Sequence, residues 1–182
     1  MTAELPTQAE LERQLGGELQ FHGLIAPSLA TSPSALTYTR IWRGAKQIVD
    51  ISTDSPGGMV ACGTDALIIR VLLMLHGLRP PPYEIATSDD SLRTSAQMMN
   101  PPALLSSRDL LLALERCLAT TYCITESGGT MKFGLFDRLR TTVRFDRAIQ
   151  LETLLNAWIV LDLNVICLHL FRELNSSPQK AE

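Results

Sequence analysis

This sequence predicts an α+β fold, on three observations. Apolar residues recur at helical spacing in three separate stretches, around residues 65–75, 88–99 and 107–118. Between and around them lie short runs of β-formers bounded by glycine turns, at 36–51 and from 122 onward. At 182 residues, 46% of them hydrophobic, the chain is long enough to bury a core and make one or two small domains.

The elements follow in order. Residues 2–16 predict one helix, with Thr7 as cap, Leu11 and Leu15 on one face and Gly16-Gly17 as the stop. Residues 22–35 are rich in Ser, Thr and Pro and read as a loop, so 1–35 form a helical arm and linker. Leu36-Thr37-Tyr38-Thr39-Arg40-Ile41-Trp42 and Lys46-Gln47-Ile48-Val49-Asp50-Ile51 flank a turn at Arg43-Gly44-Ala45, which makes a hairpin. A helix then opens with Thr64 as N-cap and Asp65 in its first turn. Its core face is Leu67, Ile68, Val71, Leu72 and Leu75, and Gly77 stops it. Pro80-Pro81-Pro82 forces an extended connector. Ser88 caps the next helix, which runs to Met99 with Leu92, Ala96 and Met99 as its stripe.

Residues 106–145 carry the functional signal. Ser106-Ser107-Arg108-Asp109 offers N-cap residues ahead of Leu110, Leu111, Leu114 and Leu118, which form one apolar face. Tyr122-Cys123-Ile124-Thr125 reads as a strand, and Ser127-Gly128-Gly129-Thr130 as a hairpin turn. A second strand runs from Met131 to about Phe145, with a possible break at Gly134. Arg138, Arg140 and Arg144 sit on it at even spacing, which on an unbroken strand is one face. A helix pair, a strand, a glycine turn and a basic strand are the order of a winged helix-turn-helix with a β-hairpin wing.

After the wing, Leu151–Leu155 and Trp158–Leu163 are apolar runs that periodicity leaves open between strand and helix. Residues 157–170 hold more apolar surface than one face of a small sheet requires. That excess is either a second-layer core or a homodimer interface through Trp158, Ile159, Leu161 and Leu163. The domain therefore spans 36–172, and 173–182 form a polar tail.

Composition narrows the function. The net charge of −3 and a pI near 5.6 weigh against a nucleic-acid binder, but charge is uneven. Residues 132–147 carry Lys132, Arg138, Arg140, Arg144 and Arg147 against Asp137 and Asp146, so positive charge collects where a wing needs it. The cysteines, Cys62, Cys117, Cys123 and Cys167, show neither a CxxC pair nor zinc spacing and read as thiols of a reducing cytosol. No metal or cofactor is expected. The acidic N-terminus is no signal peptide, and no apolar run is long enough to span a bilayer, so the expected location is cytoplasmic. His22, His76 and His169 are scattered, with no HExxH, nucleophile elbow or phosphate loop, so no enzyme is expected. Asp89-Asp90 is explained by capping.

Gly57-Gly58-Met59-Val60, Gly63-Thr64-Asp65-Ala66-Leu67-Ile68 and Leu72-Leu73-Met74-Leu75 resemble the segment of RepA-class plasmid replication initiators in which a turn and a polar cap lead into the first core helix. The similarity covers roughly residues 36–174 and is carried by short patterns. It implies an N-terminal winged-helix module that binds double-stranded plasmid or chromosomal DNA and dimerises, with a second winged helix beginning near residue 182. The length fits a truncated relative acting as a regulator, or a dimerisation-only form, with a replication or regulatory protein as a further partner.

On this reading Ser106 and Ser107 offer a helix N-terminus to phosphate, while Arg108 and Arg116 reach into the major groove. Lys132, Arg138, Arg140 and Arg144 contact phosphate or the adjacent minor groove. The alternative is a winged-helix-derived protein-interaction or dimerisation module without DNA binding, which the acidic balance favours.

Overall fold

The structure is a computed structural model that describes residues 4–27, 33–55, 58–77, 83–100, 105–141, 158–166 and 168–169. Of Arg140, Thr141 and Trp158 only the backbone is described. The elements are α1 (Gln8–Leu15), α2 (Gln20–Gly23), β1 (Ala35–Trp42), β2 (Ala45–Thr53), α3 (Asp65–His76), β3 (Glu84–Ser88), α4 (Asp89–Met99), α5 (Ser107–Ala119), β4 (Thr120–Glu126), β5 (Gly129–Gly134), β6 (Phe136–Thr141) and β7 (Trp158–Leu163).

The strands form two sheets, one ordered β1-β2-β4-β5 and the other β3-β7-β6. Every pairing within them is antiparallel. The β1–β2 turn is tight because Arg43 and Gly44 both take positive φ, 52° and 81°, as a two-residue primed turn requires. The inner face of the first sheet carries Tyr38, Val49, Ile51, Tyr122 and Phe133 into one core with Ile68, Leu72, Leu110 and Leu114 of the helices. Tyr122 and Phe133, opposite each other in the β4–β5 register, stack with centroids 5.3 Å apart.

The arm is part of this body. Thr7 and Glu10 form the two-way capping box of α1, and Gly16, at φ 69°, ends it. Thr39 donates its N–H to the Pro6 carbonyl at 2.8 Å, which covers that stretch of the β1 edge. The stretch read as the start of a loop is the densest part of the arm: Leu24, Ile25 and Ala26 are fully buried. Their backbone is satisfied locally, by Gln20 and Ile25 bonding each other and by Ala26 bonding Ala61. The arm is held by Tyr38, which donates to the Gly23 carbonyl, and by Arg40, which donates to that of His22. Phe21 and His22 thereby stay at positive φ, 53° and 56°.

Two sequence expectations are corrected here. The β4–β5 hairpin is not a freestanding wing, because β4 pairs with β2 from Ile48↔Thr125 to Thr53↔Thr120 and makes the hairpin half of the four-stranded sheet. Nor is 131–145 one strand. It breaks at Gly134, where a Cβ would lie 3.2 Å from the Phe136 carbonyl oxygen, a tight fit that a larger residue would relieve only by a shift of a few tenths of an ångström. Leu135, fully buried, anchors the chain as it passes to the second sheet. Strand β3, which the proline connector hid, is the third strand of that sheet. Thr64 precedes α3 without a side-chain cap bond.

Candidate nucleic-acid interface

Helix α5 with its N-cap, and strand β6 of the three-stranded sheet, hold most of the residues expected to meet DNA. Ser106 caps α5: its Oγ accepts the Asp109 N–H at 3.1 Å, and the Asp109 carboxylate accepts the Ser106 N–H at 3.2 Å. The Ser106 hydroxyl holds the Asp109 carboxyl below the ordinary carboxylate value, with its backbone N–H helping. Ser107 donates its hydroxyl to Asp89 Oδ2 at 2.8 Å, and Arg93 donates Nε to the same oxygen at 3.0 Å. Asp89, only 2% exposed, is thus more than a cap; it ties the start of α5 to the start of α4. Both serine hydroxyls are engaged within the protein.

Arg116 departs from the expectation. Its Nη2 and Nε grip the two oxygens of Asp65 at 2.6 and 2.9 Å. Asp65 is fully buried and also accepts the Cys62 N–H at 2.9 Å. A buried carboxylate needs this compensation, so the guanidinium is committed to joining α5 to α3 and is not presented to a groove. The hydrogen bonds to Asp65 raise the Arg116 pKa, outweighing partial burial. Thr120 extends the joint by donating to the Arg116 carbonyl at 2.7 Å and accepting the Ala61 N–H at 2.8 Å. The missed signal was the position of Arg116 beside the apolar stripe, next to Cys117. A charge there calls for a partner, but Asp65 is too far away in sequence to be named. What α5 does expose is Arg108, Asp109, Leu112, Glu115 and Leu118, the last expected on its apolar face.

The basic residues divide between the sheets. Lys132 is exposed on β5, opposite Cys123 on the outer face of the four-stranded sheet. Arg138 and Arg140 lie on β6, opposite Asp162 and Val160 of β7. Arg138 Nε reaches Asp162 at 3.3 Å with both side chains partly in solvent, a pair of little energetic weight. Arg144 lies outside the described residues. The expected dimer contacts are corrected: Ile159 and Leu161 are fully buried and Leu163 is 2% exposed. These three lie on the inner face of the central strand of its sheet, so one copy of the chain covers them.

Among the described residues no cluster of His, Cys, Asp and Glu is arranged to hold a metal ion, and no helix is long and apolar enough to cross a membrane. Cys62 and Cys117 are buried thiols and Cys123 is half-buried.

No family model matches the sequence, and no curated protein does. Solved structures do match. A crystal structure of domains 2 and 3 of RctB aligns over 82% of this chain and 57% of its own, with TM-score 0.58 and 14% identity. A second, of RctB domains 2-3 (residues 155–483), aligns over 84% and 57% with TM-score 0.56 and 12% identity. The chain therefore spans a little over half the length of the structures it matches. This likeness shows a shared α+β fold and carries no assignment to the RepA class.

Proposed function

We propose that this chain is a winged-helix DNA-binding module of replication-initiator type. The observation that carries the reading is connectivity. Chain order α3, β3, α4, α5, β6, β7 with sheet order β3-β7-β6 is a helix–helix pair followed by a two-stranded hairpin, closed by the strand that precedes the pair. We read this order as a winged helix-turn-helix in which the wing is β6–β7, with β4–β5 inserted ahead of it. The shared α+β fold with RctB domains 2 and 3 supports the same reading.

On this assignment the chain between β6 and β7 carries Arg144 and Arg147 in sequence, and Arg138 and Arg140 lie on β6 leading to it. The exposed Arg108 at the start of α5 is the remaining helix contact. These arginines act on phosphate, so they supply affinity and register more than base discrimination. The second reading, a protein-interaction module, draws on the outward face of α5, where Leu112 and Glu115 are exposed beside Arg108. A fluorescence-anisotropy titration of a mixed-sequence duplex across a salt series separates the two. Affinity that falls steeply with salt supports DNA binding, and no binding at low salt from folded protein removes it.

A further inference from the structure

Helix α5 turns a narrow stripe to solvent. At about 100° per residue, Arg108, Leu112 and Glu115 fall within about 60° of one another, and all three are exposed. On the far side Leu110, Leu114 and Cys117 are fully buried, and Arg116 is tied to Asp65. The stripe is therefore fixed outward. Asp109, the other exposed carboxylate of α5, is taken up by the cap with Ser106.

This stripe is unlike an ordinary solvated face. Opposite charges on surface helices pair at three or four residues, but the α5 positions at that distance from Glu115 are Leu111, Leu112, Leu118 and Ala119. Nor is it an apolar docking patch. Leu112, 42% exposed, stands between Arg108 and Glu115, and Leu118 lies about 120° round the helix from it. What the two side chains match is the edge pattern of the DNA major groove, which is wide enough to admit a helix. There an aliphatic side chain meets the thymine methyl, and a carboxylate accepts from the N4 amino group of cytosine. A carboxylate so close to phosphates is otherwise repelled. Leu112 and Glu115 are about 4.5 Å apart along the helix axis, close to the roughly 3.4 Å between base pairs.

We infer, on the DNA-binding reading above, that Leu112 and Glu115 are the residues that set base specificity. With Arg108 on phosphate at the start of α5, Leu112 packs on a thymine methyl and Glu115 accepts from a cytosine amino group. The two bases lie in neighbouring base pairs of the bound site.

The test selects duplexes from a randomised pool with the full chain and titrates the enriched ones by anisotropy. The enriched site is expected to hold a thymine and a cytosine in neighbouring base pairs, on either strand. Replacing either base should weaken binding roughly tenfold or more. Glu115→Gln is expected to move the preference at its position from cytosine to adenine, which glutamine pairs bidentately. Leu112→Ser is expected to lose the thymine preference, and both variants keep the wild-type fold by circular dichroism because both positions are exposed. Salt-dependent binding without base preference, or a preference that both variants leave intact, overturns the inference while the DNA-binding reading stands. No binding to any duplex at low salt from folded protein overturns both and returns the α5 stripe to a protein partner.

Discussion

Replacing Arg116 by Ala separates a structural arginine from a DNA-reading one. The substitution leaves Asp65, fully buried, with neither of the bonds now made at 2.6 and 2.9 Å. Removing one partner of a buried pair costs about 3–5 kcal/mol, because the stranded charge must stay buried or take up a proton. For a chain of this size each kcal/mol moves the melting temperature by roughly 2–4 °C, so a fall of about 6–20 °C is expected. Urea unfolding followed by circular dichroism reads the same loss as a lower midpoint at unchanged m-value. The double variant Asp65→Asn/Arg116→Met removes both charges, keeps an acceptor for the Cys62 N–H, and is expected to regain most of the stability. A loss below about 1 kcal/mol for Arg116→Ala, the range of an exposed pair, would refute the reasoning. So would wild-type stability combined with lost DNA binding, which would return Arg116 to the groove.

Other outcomes follow from the same contacts. Burial pushes the Tyr38 phenol up to about 12 from 10.0, so the folded state keeps its proton where the unfolded chain releases it. That contribution is whole below pH 10 and lost as pH rises towards 12. It is on the order of 2–3 kcal/mol, and Tyr38→Phe should remove this alkaline slope from stability–pH curves. Ser106→Ala should cost about 1 kcal/mol by denaturant unfolding through loss of the α5 cap. Asp109, held below its ordinary value of 3.8 by Ser106, has the opposite pH sign. Its contribution is present above the unfolded value and disappears as pH falls through the lowered folded one. Leu161→Ala should cost about 2–5 kcal/mol of core packing with no change in the mass of the folded species by light scattering. A stable variant of altered mass would restore the interface reading.

Much of the local structure was legible because its causes are local. Thr7 with Glu10, Ser106 with Asp109, and the Arg43-Gly44 turn announce their elements within a few residues. What escaped depends on contacts distant in sequence. Tyr122–Thr125 reads correctly as a strand, but nothing in those residues names β2 as its partner, and that pairing turns a supposed wing into half of another sheet. The apolar run 159–163 admitted either an interface or a core, and its place at the centre of the second sheet settles the matter for Ile159, Leu161 and Leu163. Residues 24–26 looked like linker because their burial depends on the Ala61 segment far along the chain. The candidate site divides in the same way. Arg138 and Arg140 both fall on β6, opposite Asp162 and Val160 of β7. Lys132 went to the other sheet at the Gly134 break, and Arg116 went to Asp65.

The most direct test of the account compares wild type with Arg138→Ala/Arg140→Ala/Arg144→Ala on one duplex, titrated by anisotropy at several salt concentrations. At about 0.9 units of log–log salt slope per phosphate contact, the triple variant should bind more weakly with a slope shallower by roughly 2–3 units. It should remain as stable as wild type, since Arg138 makes only a surface pair. An unchanged slope and affinity would contradict the assignment of β6–β7 as the DNA-contacting wing.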